Sequence, residues 1–351
     1  MIHFISKNYI FADTQYGFRK NKSTESALID FTDYIYSGLT QKQHIGSIFM
    51  DLSKAFDVMS HAILETKLEH YGFRGIFLTF LMNFIRDRKY YVSANGHNSD
   101  IKNSNIGVPQ GSTLGPLLFL IYINDMSNCS DILKFIQFAD DTTVMYRSRN
   151  IDELNRTLEV EANKVIEWFS ANKLLINLTK THSMLFSNKR GDPKLEINIQ
   201  NTDIEEKEVV RFLGVDIDRK LTWKNHIQYI CSKISKSIAI LRILKYSFPK
   251  HILRMIYMSL IYSYINYCNV IWSSAYECHL KPLFILQKKA VRIINKSDYL
   301  DTSLPIFIEL KLLPISEIYK LNCLIFIFKC LKTNNFPAFT NIILQNSSTH
   351  K

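Results

Sequence analysis

The sequence predicts an α+β fold: an antiparallel sheet with packed helices, followed by a mostly helical region. Three observations carry this. First, Phe138-Ala139-Asp140-Asp141 lies between two apolar arms, Leu133 to Phe138 and Thr142 to Tyr146. Hydrophobic, partly β-branched flanks of this kind read as a β-hairpin with the acids at its tip. Second, Ile151, Leu154, Leu158, Ala162, Val165 and Phe169 recur at helical spacing just after it, as in a helix packed on a sheet. Third, the pattern beyond Asp218 is almost all helical, beginning with a stripe of Trp223, Ile227, Ile230, Ile234, Ile238 and Leu241.

The elements follow in order. Ile48-Phe49-Met50 reads as a buried strand from which Asp51 emerges at the edge. Residues 52–57 form a turn, and a helix starts near Ser60, a residue type suited to an N-cap. Ile63, Leu64, Leu68 and Tyr71 give that helix its apolar stripe, and Gly72 stops it. Gly107-Val108-Pro109-Gln110-Gly111-Ser112 is a loop whose glycines, continued by Gly115, let a backbone approach something closely. Pro116 suits the first turn of a helix over Leu117–Asn124. Leu195, Ile197 and Ile199 alternate with polar residues as in a half-buried strand. The stretch Ile252 to Trp272 is interrupted by Arg254, Ser259, Ser263, Asn266 and Asn269, so it reads as a buried helix and not a membrane span. A further helix over His279–Asn295 turns Leu283, Leu286, Ala290 and Ile293 inward. The polar tail Gln345–Lys351 is expected to fray.

Composition bounds the partners. A chain of 351 residues exceeds the size at which one core stops growing, so two lobes are expected. Hydrophobic content of 47% with 21% charged residues is that of a globular protein. Lys+Arg 43 against Asp+Glu 32 leaves +11, a balance that favours a polyanionic partner, while the interrupted stretch Ile252 to Trp272 gives no reason to expect a membrane. The six cysteines, Cys129, Cys231, Cys268, Cys278, Cys323 and Cys330, show no zinc or C-x-x-C spacing. They read as reduced and structural, which points to an intracellular location, and the start of the chain has too short an apolar run for a secretory signal.

The acids are the chemistry-bearing feature. A two-residue hairpin tip prefers glycine with Asn or Asp, because it needs positive φ. An Asp-Asp tip lacks the glycine and concentrates charge that needs a cation, for which an all-oxygen set selects Mg²⁺ or Mn²⁺. If the strand ending at Asp51 pairs with the hairpin, Asp51, Asp140 and Asp141 meet in one carboxylate clamp of the kind that serves in-line phosphoryl displacement. The glycine loop is neither a Rossmann fingerprint nor a P-loop, since its spacing fits neither. Gln110, held between proline and glycine, could touch a base or sugar.

These segments, in this order, resemble the reverse transcriptase domain of non-LTR retrotransposons of the jockey type. Asp51-Leu52-Ser53-Lys54-Ala55-Phe56-Asp57 is similar to motif A, Gly107 to Pro116 to motif B, and Phe138 to Asp141 to motif C. Gln15-Tyr16-Gly17-Phe18-Arg19 with Ser23-Thr24 resembles the segment before motif A, Asn177-Leu178-Thr179-Lys180-Thr181 motif D, and Phe212-Leu213-Gly214-Val215 motif E. The resemblance implies a right-hand polymerase: a fingers remnant over 1–45, a palm over 46–217 and a helical thumb over 218–351. It implies that Asp51, Asp140 and Asp141, with the carbonyl of Leu52, bind Mg²⁺ (or Mn²⁺), and that Lys180 is the general acid for the leaving pyrophosphate. Phe56 would lie under the sugar and reject a 2′-hydroxyl, Gln110 and Gly111 would contact the incoming nucleotide or template, and Gly214 would let the chain approach the primer end.

The implied partners are an RNA template, a DNA primer and dNTPs. Lys233, Lys236, Arg242 and Lys245, with Lys288, Lys289, Arg292 and Lys296, would track the duplex backbone. The family's triphosphate-gripping fingers and upstream endonuclease find no counterpart here, so a piece of a longer polyprotein with truncated fingers is expected, acting in the cytoplasm and nucleus. Two other readings remain open: a truncated, inactive transposon copy that only binds nucleic acid, and an unrelated helical scaffold in which the acids are incidental.

Overall fold

The computed structural model describes residues 1–189 and 193–333. The tail expected to fray, Gln345–Lys351, lies outside the described residues. The chain opens with helix α1 (Ile2–Lys7) and the longer α2 (Thr24–Thr40), which starts at a reciprocal capping box between Ser23 and Ser26. Strand β1 (His44–Met50) is buried at every position. Helices α3 (His61–His70) and α4 (Gly75–Ile85) follow. Four short strands, β2 (Arg88–Tyr90), β3 (Ser93–Ala94), β4 (His97–Asn98) and β5 (Lys102–Ser104), then make an exposed arm in which β2 pairs with β5 and β3 with β4. Helix α5 (Gly115–Ile123) is apolar all round and buried accordingly, with Pro116 in its first turn. The hairpin β6 (Lys134–Phe138) and β7 (Asp141–Ser148), helix α6 (Ile151–Ala171), strand β8 (His182–Phe186) and a two-rung hairpin of β9 (Asn198–Ile199) and β10 (Thr202–Asp203) complete this part.

These elements belong to a first unit of residues 1–27 and 34–207. Its sheet has the order β6-β7-β1-β8 and is antiparallel throughout. With β1 between β7 and β8, Ile45 to Phe49 are paired on both sides, and the whole strand is buried although His44, Gly46 and Ser47 interrupt its apolar run. Helix α6 covers the sheet with Leu154, Leu158, Ala162, Val165, Ile166 and Phe169, all in the core. Gly46 on β1 leaves the room this needs: a Cβ there would stand 2.6 Å from Leu158 Cδ2.

The second unit holds residues 28–33 of α2 and the chain from Glu208 onward. It begins with the hairpin β11 (Val209–Phe212) and β12 (Val215–Asp218), and Phe212 meets Phe31 with ring centroids 5.4 Å apart. Helix α7 (Lys224–Leu244) buries Ile227, Ile230, Ile234, Ile238 and Leu241, the expected stripe. Helix α8 (Lys250–Tyr257), a π-helical turn over Met258–Tyr262, α9 (Ser263–Asn266) and α10 (Asn269–Trp272) occupy the apolar stretch. Leu253, Tyr257, Ile261 and Ile265 are its buried line, and no helix among the described residues is long and apolar enough to cross a membrane. Helices α11 (Glu277–Asn295), α12 (Ser303–Glu309) and α13 (Ile315–Thr333) follow.

By compactness the chain divides between Lys207 and Glu208, because the β11–β12 hairpin packs with the helices that follow it, and residues 1–27 cluster with the sheet. Three expectations shift. The strand expected over Leu195–Ile199 shrinks to Asn198–Ile199, before a reversal at Gln200 and Asn201; Ile204 N still donates to Ile197 O at 2.9 Å, and Leu195 and Ile197 are buried. The inward face of α11 is Leu283, Gln287, Ala290, Val291 and Ile294, with Leu286 and Ile293 only partly covered. Gln287 draws the face around: its Nε2 donates to Tyr257 Oη and Leu313 O, both at 2.9 Å, and its Oε1 accepts from Ile315 N at 2.9 Å. Ser60 is the residue before α3, as expected, but its side chain makes no capping bond.

Candidate active site

The register of the sheet brings the acids together. Met50 on β1 stands opposite Thr142 on β7, so one step further Asp51 leaves β1 opposite Asp141. Phe138 pairs with Asp141 across the hairpin. The tip is therefore Ala139-Asp140, and Asp141 is the first residue of β7; the expected Asp-Asp tip is corrected by one position. The positive φ that a two-residue turn demands falls on Ala139, at +54°, and not on an acid. Asp51 is fixed from the other side. Its carbonyl accepts from Asn177 N at 2.8 Å, and Ser53 N donates to Leu175 O at 2.8 Å. These two bonds flank the bridge between Leu52 and Ile176, so by strand alternation Leu52's own C=O faces away from that segment.

The carboxylates sense one another. Asp141 is pushed up to about 6, first by partial desolvation at the turn and then by the like charges of Asp140 and Asp51. One flank of Asp141 is open to solvent, so repulsion is the part a cation would relieve. The donor set is all oxygen and suits a hard divalent ion. Among the described residues no group of three His, Cys, Asp or Glu side chains is already gathered into an ion cage. Asp51 Oδ2 faces Lys180 Nζ at 3.9 Å. Lys180 is carried there by a tight turn in which Lys180 N and Thr181 N both donate to Asn177 O.

The loop of residues 107–112 is zipped to the chain that leaves β1. Gly107 N donates to Met59 O at 2.7 Å, and Val108 N to Phe56 O at 2.9 Å. Gly107 has φ +71°, and a Cβ there would lie 2.5 Å from Asp57 O, so the close approach it permits is to the protein itself. Gly111 has φ +78° with open space around it, so its constraint is conformational. Gln110 Nε2 donates to Asp57 Oδ1 at 2.8 Å. Phe56 is half-buried and stacks on Phe119, centroids 4.4 Å apart. Arg88 ties the exposed arm to the same loop through Gly107 O at 2.8 Å. In the second unit Gly214, at φ +80°, closes the β11–β12 turn; a Cβ there would meet Tyr267 Cε1 at 3.2 Å, and Tyr267 Oη donates to Leu213 O at 2.8 Å.

Sequence reasoning missed three neighbours. Asp57 was part of a quoted motif, yet nothing local marked it as the partner of Gln110. His182 pairs in register with Phe49 and lies 2.8 Å from Lys207 Nζ; its pKa is lowered first by burial and then by that lysine, while Glu205 and Asp51 oppose the shift. Gln15 bonds the Ala139 backbone, a contact across 124 positions that no periodicity reports.

A sheet that delivers acids from adjacent strand ends beside a turn-borne lysine belongs with enzymes that act on phosphate esters. The family described as reverse transcriptase (RNA-dependent DNA polymerase) matches residues 2–217, and the chain belongs to that family. Its relatives include the probable RNA-directed DNA polymerase from transposon X-element of Drosophila melanogaster, 28% identical over 310 residues, covering 86% of this chain and 34% of the relative. The RNA-directed DNA polymerase from mobile element jockey of the same fly is 28% identical over 294 residues, covering 80% of this chain and 32% of the relative. The chain thus spans about a third of the length of the curated relatives it matches. Among solved structures, apo telomerase from Candida tropicalis overlays 93% of this chain and 57% of its own, with 14% identity and a TM-score of 0.44.

Proposed function

We propose that this chain is the RNA-directed DNA polymerase domain of a non-LTR retrotransposon, adding dNTPs to the 3′-hydroxyl of a DNA primer on an RNA template. The observation that carries the reading is the register that brings the end of β1, where Asp51 emerges, opposite Asp141 at the start of β7, within the stretch matched by the reverse transcriptase family. Asp51, Asp140 and Asp141, with the Leu52 carbonyl, would hold Mg²⁺ (Mn²⁺ in its place). That ion class supplies neutralisation of phosphate charge and a lowered pKa for the attacking hydroxyl.

The remaining roles fall to side chains of the chain itself. Lys180, exposed and close to Asp51, protonates the leaving pyrophosphate. Phe56, backed by Phe119, presents a ring edge that excludes a 2′-hydroxyl. Gln110 is held at a set position by Asp57 until a nucleotide or template base replaces that carboxylate as its partner, and Gly111 keeps the loop open there. Gly214 lets the turn of β11–β12 come close to the primer backbone. The step is an in-line displacement: the 3′-oxygen bonds to the α-phosphorus, the α–β bridging bond breaks, and pyrophosphate leaves.

The competing reading, a copy that only binds nucleic acid, leaves the paired acids and the neighbouring lysine without a task. Primer extension on an RNA template separates the two. Asp140→Asn should lower extension by about a thousandfold or more while template–primer affinity stays within about twofold. Equal turnover by Asp140→Asn and the unaltered protein would refute the reading of Asp140 as a metal-holding catalytic acid.

A further inference from the structure

Gln15 is buried, 2% exposed, in a segment the family resemblance marks without a task. Its neighbours form a parallel strand fragment on the outer edge of β6, bridged at Gln15–Gln137. Tyr16 N donates to Gln137 O at 2.7 Å, Gln137 N to Thr14 O at 2.9 Å, and Thr14 Oγ1 to Gln137 Oε1 at 3.0 Å. From this platform the Gln15 side chain reaches the acidic turn. Its Oε1 accepts from Gly17 N at 2.7 Å and from Ala139 N at 3.0 Å, and its Nε2 lies 3.5 Å from Ala139 O. Gly17 completes the fit, since a Cβ there would stand 2.4 Å from Ala139 N.

Ala139 is the residue that needs holding. It adopts φ +54° with a Cβ, a conformation that turns normally assign to glycine. Nothing in the turn's own sequence favours that state, so the restraint has to come from outside it. We propose that Gln15 is a positioning residue for the acidic turn: its amide oxygen fixes Ala139 in the left-handed region and so sets the direction in which Asp140 leaves the hairpin, towards Asp51. Released, Ala139 relaxes to negative φ and Asp140 swings off the strand-end site. This rests on the polymerase reading for its task and on hydrogen bonds alone for its geometry.

The test compares Gln15→Met, which keeps shape and removes the acceptor, with the double variant Gln15→Met/Ala139→Gly, in which glycine holds positive φ unaided. The full chain is assayed for primer extension, template–primer affinity and Mn²⁺ affinity. Gln15→Met should lose about tenfold or more in kcat with KM for dNTP and template–primer Kd within about twofold, and the double variant should recover part of that loss. Turnover of Gln15→Met within about twofold of the unaltered protein overturns the proposal, as does a loss shared by template–primer affinity and not restored by glycine. Should Gln15→Met not fold, Gln15→Glu keeps the acceptor oxygen, and kcat retained there supports the proposal while kcat lost overturns it. If the unaltered protein extends no primer, the polymerase reading fails alone. Mn²⁺ affinity then decides: weaker binding by Gln15→Met, restored by glycine, supports the positioning role, and equal or absent binding overturns it.

Discussion

Asp51, Asp140 and Asp141 are placed by backbone, not by side-chain packing. Two strand ends and one turn set their positions, and each of the three residues stays at least partly open to solvent. The acids themselves were legible in the sequence because charge at a hairpin tip is out of place for a fold. The one-position shift of the tip was not legible, because Ala139 is a poor turn residue and its state is imposed by Gln15. His226 shows the opposite case, a titratable group with a structural task. It is a buried residue of the first turn of α7, its Nδ1 accepts from Asp216 N at 3.3 Å, and its pKa is lowered to about 4, first by burial and then by Arg211. The unfolded chain takes up this proton near pH 6.5, whereas the folded chain resists until about pH 4. Stability from the neutral imidazole is thus complete above the unfolded pKa and is lost as pH falls through the folded one. Denaturant titrations from pH 7 to 4 should show a decline that His226→Asn reduces, by up to about 1.4 kcal/mol per pH unit within that window. An unchanged slope in the variant would show that His226 takes up its proton at the same pH in the folded and the unfolded chain.

Among the elements, the helices were the most readable. The stripes of α6 and α7 run at 3.6-residue spacing and are buried as that spacing dictates. Strand β1 was seen only at its end, since His44, Gly46 and Ser47 are weak strand formers that the sheet buries on both faces. The α11 face was misjudged because an apolar stripe leaves out Gln287, which spends its polar atoms inside the protein. The sheet is held flat against α6 by Leu158, which is fully buried over Gly46. Leu158→Ala should cost about 2–5 kcal/mol in chemical denaturation. It should also reduce extension only as far as folding is lost. A loss below about 1 kcal/mol would mean that the α6–β1 contact is not part of the core.

At the scale of the whole molecule, the two-unit organisation follows from length, and the basic balance of 43 Lys+Arg over 32 Asp+Glu matches a partner rich in phosphate. Motif order was the strongest long-range signal, because segments far apart in sequence converge only if the strands pair as they do. What periodicity could not report were the cross-chain ties that tension the site: Gln15 to Ala139, Gln110 to Asp57, and Arg88 to Gly107. Each depends on tertiary proximity between residue types that are ordinary in their own neighbourhoods. The convergence of the acids is open to direct observation. Crystals of the protein soaked in Mn²⁺ should give an anomalous peak about 2–2.4 Å from carboxylate oxygens of both Asp51 and Asp140. No peak at that position, or a peak bound to one strand end with the other acid turned away, would contradict the account.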